Sequence, residues 1–148
     1  MALTTNPRWD KYYAYVGNFR VPLALDVNLT TQINRVWGVG VNASGALVIG
    51  AGQSGIAGVA IFPVGKDMNG APLSGTVGAQ AGDVVDVGKH GEITNFKTTT
   101  AAGVQAAAVA GTKYYAHADG SVDATAAAGI YIGHTVEADR LIVNVIEV

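Results

Sequence analysis

Apolar residues in this chain recur mostly at every second position, in short runs punctuated by glycine and by Asn or Asp turns. In VPLALDVNL, Val21, Leu23, Leu25, Val27 and Leu29 alternate with Pro22, Ala24, Asp26 and Asn28. That period predicts a strand with one buried face. Pro22 has no amide hydrogen to give a neighbour, so the strand lies at an edge or begins near the proline. In RVWGVGV, Trp37, Val39 and Val41 share one face, while Gly38 and Gly40 occupy the other. A strand face made of glycine predicts that another backbone approaches closely there.

Turn signals divide the rest of the chain. Residues 42–45 separate RVWGVGV from ALVIG, and Asn69-Gly70 opens a polar loop around Pro72. Gly82-Asp83 leads into VVDV, residues 89–91 turn into EITNF, and Asp119-Gly120 is a strong hairpin signal. RLIVNVIEV is apolar on both faces, as in a central or subunit-buried strand. The alanine-rich segment TTTAAGVQAAAVA, residues 98–110, is the one candidate for helix, and it reads as a loop or one short helix. Two stretches rich in Gly and Ala, residues 75–82 and 124–129, read as flexible surface loops. Short strands at roughly ten-residue spacing with at most one short helix predict an all-β domain, a small β-barrel or β-sandwich. Residues 1–20 are expected to form an extended N-terminal arm, and residues 21–148 a single β domain.

Composition sharpens this picture. The 148 residues include 20 glycines, 49% are hydrophobic and only 14% are charged. Disordered chains are charged and poor in apolar residues, so a folded core is expected. A surface this poor in charge tends to associate, which predicts a homo-oligomer or a place in a larger assembly. The formal net charge of −2 gives no electrostatic case for nucleic acid or an anionic membrane as partner. Residues 36–65 carry no charge at all, yet their eight glycines, with Asn42, Gln53 and Pro63, fit a glycine-rich β core and not a membrane span. The chain has no cysteine, which excludes disulfides and thiolate chemistry. MALTTNPRWDKYYAYV lacks a basic segment followed by an apolar one, so no secretory signal is expected. The same arm gathers Arg8, Trp9, Lys11, Tyr12, Tyr13 and Tyr15. Aromatic and cationic side chains are favoured interface anchors, and these six are the candidate contact residues.

The segment VIGAGQSG places Gly50, Gly52 and Gly55 in the G-x-G-x-x-G spacing of dinucleotide-binding proteins. That chemistry needs a helix opening at the third glycine to hold a pyrophosphate, and an acidic residue about 20 positions on. Gly58 and Pro63 interrupt such a helix, so a small dinucleotide-binding protein is the remote alternative and no cofactor is expected. His90, His117 and His134 lack metal-ligand spacing, although His117 with Asp119, or His134 with Glu137, could meet through folding. Asp83 and Asp86 point to opposite faces of a strand, and no serine has an adjacent base. No catalytic residue and no enzyme activity are expected.

The order of signatures from Ser44 to Val148 resembles the capsid decoration, or head cement, proteins of tailed bacteriophages. The similarity is carried by ASGALVIGAGQSGIAGVAIF, AGDVVDVGKHGEITNF, VAGTKYYAHADGSV with its aromatic strand and Asp-Gly turn, and the closing pair GIYIGHTVEADRLIVNVIEV. Residues 1–43 depart from the pattern. The resemblance implies that residues 55–61 form a strand. It also implies a β domain bound to the outer surface of the virion's expanded capsid, often as a homotrimer, with the major capsid protein as partner. Each copy would bridge capsid subunits against the pressure of packaged DNA. Another virion component, such as a tail or head-fibre base, is the alternative, although no internal repeat or coiled coil supports a fibre.

Overall fold

The computed structural model describes residues 18–28, 36–62, 77–94, 96–99 and 105–146. Every regular element among them is a strand, as the alternating pattern predicts, and they assemble in a sandwich-like arrangement. No helix among the described residues is long and apolar enough to cross a membrane.

Seven strands make the main antiparallel sheet. They are β8 (His90–Thr94), β9 (Lys97–Thr99), β10 (Gln105–Ala107), β11 (Lys113–Ala116), β12 (Val122–Asp123), β13 (Ile130–Glu137) and β14 (Arg140–Asn144), in the order β10-β9-β12-β11-β13-β14-β8. A second sheet of three strands has β3 (Val36–Val41) at its centre, flanked by β4 (Leu47–Ile49) and β5 (Gly58–Ile61). Two short pairs complete the fold: β1 (Phe19–Pro22) with β7 (Val84–Val87), and β2 (Val27–Asn28) with β6 (Val77–Ala79). Single bridges knit the small sheets together, Leu23 to Leu47 and Val59 to Gly88.

The three-stranded sheet lies between two apolar cores. Val36 and Val59 join Phe96, Tyr114, Ile132, Leu141 and Val143 on the side of the main sheet. Trp37, Val39 and Ala60 join Leu23, Leu47, Phe62, Val85 and Val87 on the other side. Alternation along β3 assigns these faces, and Gly38 and Gly40 fall on the side of Val36. Here the main sheet comes close: a Cβ on Gly38 would lie 2.6 Å from the Ala116 Cβ. The glycine face therefore does what its sequence predicts. It admits a neighbouring sheet where any side chain would hold it off.

The turn signals at Asn42, Gly82-Asp83 and Asp119-Gly120 also hold, whereas Asn69-Gly70 and Pro72 lie outside the described residues. Asn42 closes the β3–β4 hairpin by accepting the Ser44 and Ala46 amides at its Oδ1, 3.0 Å each. The Asp119-Gly120 turn connects β11 and β12, with the Gly120 amide donating to the His117 carbonyl at 2.8 Å. β14, the candidate central strand, is paired on both sides, by β13 and β8.

Three expectations are corrected. The described residues of the segment 98–110 contain no helix: Thr98 and Thr99 lie in β9, and Gln105 to Ala107 form β10, paired Gln105 to Thr99. Alanine's helix preference is worth tenths of a kilocalorie per residue, and sheet pairing with burial of Thr98 and Ala108 overrides it. The strand expected at 21–29 is broken at residues 24 and 25, where the Ala24 amide turns to the Leu47 carbonyl and Leu25 is left 76% exposed. The loop expected at 75–82 contains β6, whose Ala79 is fully buried. Pro22 sits, as expected, in a strand with a single partner.

Candidate interaction surface

The six candidate contact residues, Arg8, Trp9, Lys11, Tyr12, Tyr13 and Tyr15, lie outside the described residues. The point at which their segment joins the domain is well defined. The Asn18 side chain accepts the Lys89 amide at 2.7 Å and the His90 amide at 3.1 Å, and donates to the His90 carbonyl at 3.2 Å. A side-chain amide thus takes the place of one rung of β-pairing on His90, at the start of the edge strand β8. Phe19 and Arg20 belong to β1 rather than to the arm. Arg20 pairs with Asp86 across the two-stranded sheet at 2.6 Å, both side chains largely exposed.

The Gly50–Gly55 spacing builds no phosphate cradle. No helix follows it, and β5 begins at Gly58. Its amides are engaged within the fold: Gly50 donates to the Gly38 carbonyl at 2.8 Å, Ala51 to Ala118 at 3.0 Å, Gly52 to Gly55 at 2.9 Å and Gln53 to Val41 at 2.8 Å. A cradle needs those donors free and pointing at the ligand. The glycines instead admit backbone. A Cβ on Gly40 would collide with the Gly52 nitrogen and lie 2.6 Å from the Gly55 oxygen, and one on Gly52 would collide with Val41. This corrects the dinucleotide alternative.

Among the polar clusters, His117 Nε2 meets Asp123 Oδ1 at 2.8 Å and not Asp119. Asp119 is taken by its own turn, where its Oδ1 accepts the Ser121 hydroxyl at 2.6 Å and the Ser121 amide at 3.0 Å. Those bonds hold the Asp119 carboxyl below its ordinary pKa against a smaller opposing effect of burial. For Asp123, burial is the largest influence and pushes its carboxyl up. The bonds from His117 and the Thr125 amide together outweigh it and leave the group lowered. His134 Nδ1 meets the Tyr131 hydroxyl at 3.3 Å, and no bond joins it to Glu137. No group of three potential metal ligands occurs among the described residues. Asp83 caps its own turn, accepting the Gln80 amide at 2.9 Å, and Asp86 serves Arg20. What these clusters do chemically is close turns and join strands.

The surface offers apolar contact instead. Leu25, Val109, Ile146 and Val84 are each more than half exposed, and Ile61, Val136 and Ile130 somewhat less. Two of them, Ile130 and Ile146, border an open groove of about 500 Å³ whose walls include Ala51, Ile56, Ala116 and Ala128. No charged residue is among the described residues that line it. Among the described residues, Ala128 is the non-glycine residue in the left-handed region, at φ 56°. Such a backbone costs an alanine about 1–2 kcal/mol. Sequence patterning missed this groove, because its described lining comes from four separate stretches of chain, 51–57, 116–118, 128–130 and 146, that meet only through the fold. The one available signal was two apolar residues at the ends of the closing strands, Ile130 at the start of β13 and Ile146 just past β14.

No protein-family model matches the chain, and no curated protein matches it. Among solved structures, a chain from Mycobacterium phage Patience is similar over its full length. The identity is 37% and the TM-score 0.76, covering 99% of this chain and 99% of that chain.

Proposed function

This chain belongs to the same family as the Mycobacterium phage Patience protein, and from that premise we propose that it is a capsid decoration protein. On this reading it binds the outer surface of the expanded capsid, gathers as homotrimers at local three-fold positions, and ties neighbouring major capsid subunits together against the pressure of packaged DNA. It performs no catalysis. Its output is contact area.

The observation that carries the reading is a charge-poor β surface, in a phage protein family, on which Leu25, Val84, Val109 and Ile146 stand mostly in water. Exposed apolar groups gain free energy when covered, at about 25 cal/mol per Å² before the costs of association. Many modest contacts of this kind, repeated over a lattice, add up to a firm attachment. Low charge suits the task as well, because desolvating unpaired charges would oppose docking.

Sedimentation with expanded, emptied capsids of the cognate phage tests the proposal. The expected result is saturable co-sedimentation in a fixed ratio to the major capsid protein, together with a raised capsid disruption temperature. Protein that stays in the supernatant at saturating capsid, or that sediments with tails alone, overturns it.

A further inference from the structure

We propose that the aromatic arm, residues 1–17, docks in the apolar groove of its own chain. This goes beyond the capsid reading and does not depend on it.

Three observations converge. The first is the groove itself. Among the described residues its walls are largely alanine, with Ile130 and Ile146 on its border and no charged side chain, which leaves room for large apolar groups. Small residues lining a depression are what an aromatic ring needs in order to enter.

The second is supply. Of the chain's eleven aromatic residues, Trp9, Tyr12, Tyr13 and Tyr15 fall within seven consecutive positions. Tyrosine and tryptophan suit such a site, because the ring is covered while the hydroxyl or indole N–H stays at the wet rim.

The third is position. Asn18, from which the arm departs, bonds the Lys89 and His90 amides. The Lys89 carbonyl in turn accepts the Val145 amide at 2.7 Å, and the next residue, Ile146, borders the groove. The arm therefore leaves the domain about two strand spacings, ~10 Å, from the groove's edge. Its 17 residues can span up to ~56 Å when extended, so the whole groove is in reach. A tether this short sets an effective concentration in the millimolar range, so contacts too weak to hold a separate peptide suffice within one chain. A docked arm covers the groove and its own anchors together, which restrains self-association of the free protein.

Trypsin digestion of the full-length protein, without capsids, is the test. Cleavage after Arg8 and Lys11 is followed by mass spectrometry and normalised to cleavage after Lys113 in β11. The wild type is expected to be cut slowly, and Ile146→Asp and Ile130→Asp roughly tenfold faster, as opening of the arm becomes favourable. Leu25→Asp, exposed but outside the groove, leaves the rate unchanged. Protection that persists through a hundredfold dilution supports docking within one chain. Protection lost on dilution assigns the groove to the arm of a second copy, and equal cleavage of the wild type and both groove variants denies docking; either result overturns the proposal. Because no capsid is present, such a failure leaves the decoration reading untouched.

Discussion

The main seven-stranded sheet and the three-stranded sheet beside it are held by different means. In the main sheet the contact is made by side chains. Tyr114 and Phe96 meet edge to face, with centroids 5.0 Å apart, and Ile132 and Leu141 are fully buried against the same cluster. The three-stranded sheet adds to its side-chain packing in both cores a second kind of contact, made by removing side chains. Gly38 makes room for the Ala116 side chain and Gly40 lets the backbone of Gly52 and Gly55 approach, and main-chain hydrogen bonds such as Gly38 to Gly120 at 2.9 Å and Gln53 to Val41 at 2.8 Å fasten these contacts. A side-chain interface loses stability in proportion to what is cut away, because neighbours partly relax. A backbone seam has no such give. The lesson is that the least chemically active residues here are the least replaceable.

Gly40→Val gives the largest expected effect. Its new Cβ would meet the backbone of Gly52 and Gly55, which cannot rotate aside. A loss above about 4 kcal/mol is expected, seen as absence of a cooperative thermal transition or of soluble protein. Next comes Tyr114→Ala in the main core, at about 3–5 kcal/mol by urea titration. Tyr114→Phe isolates the hydroxyl that accepts the Val109 amide at 2.8 Å and costs about 1–2 kcal/mol, so the two variants divide packing from hydrogen bonding.

Smaller effects come from charge. Asp119 and Asp123 both have carboxyls lowered in the folded state. A depressed carboxylate stabilises the fold above its unfolded pKa of about 4, and that contribution disappears as pH falls through the folded value. The urea midpoint should therefore fall on acidification below about pH 4, and less steeply in Asp123→Asn. Arg20→Ala ranks last. Its ion pair with Asp86 is short, but the side chains are 66% and 77% exposed, and a change within about 0.5 kcal/mol is expected in the same titration.

Legibility in the sequence followed the same division. RVWGVGV announced its two faces because period two and glycine are both local signals, and Asp119-Gly120 announced its hairpin for the same reason. Residues 98–110 and VPLALDVNL misled where tertiary pairing decided: β9 is fixed by β12 and β10, and the break after Leu23 by the Leu47 carbonyl. His117 found Asp123 rather than the nearer Asp119 because the turn's own Ser121 had already engaged that carboxylate. The groove was illegible because Ala51, Ala116, Ile130 and Ile146 meet only through the fold.

Cryo-electron microscopy of the intact virion tests the central claim most directly. Density for this β domain is expected on the outside of the capsid, in threefold clusters over the junctions between major capsid subunits, with its exposed apolar side chains facing those subunits. Density confined to the tail, or a capsid exterior bare of it, would contradict the claim.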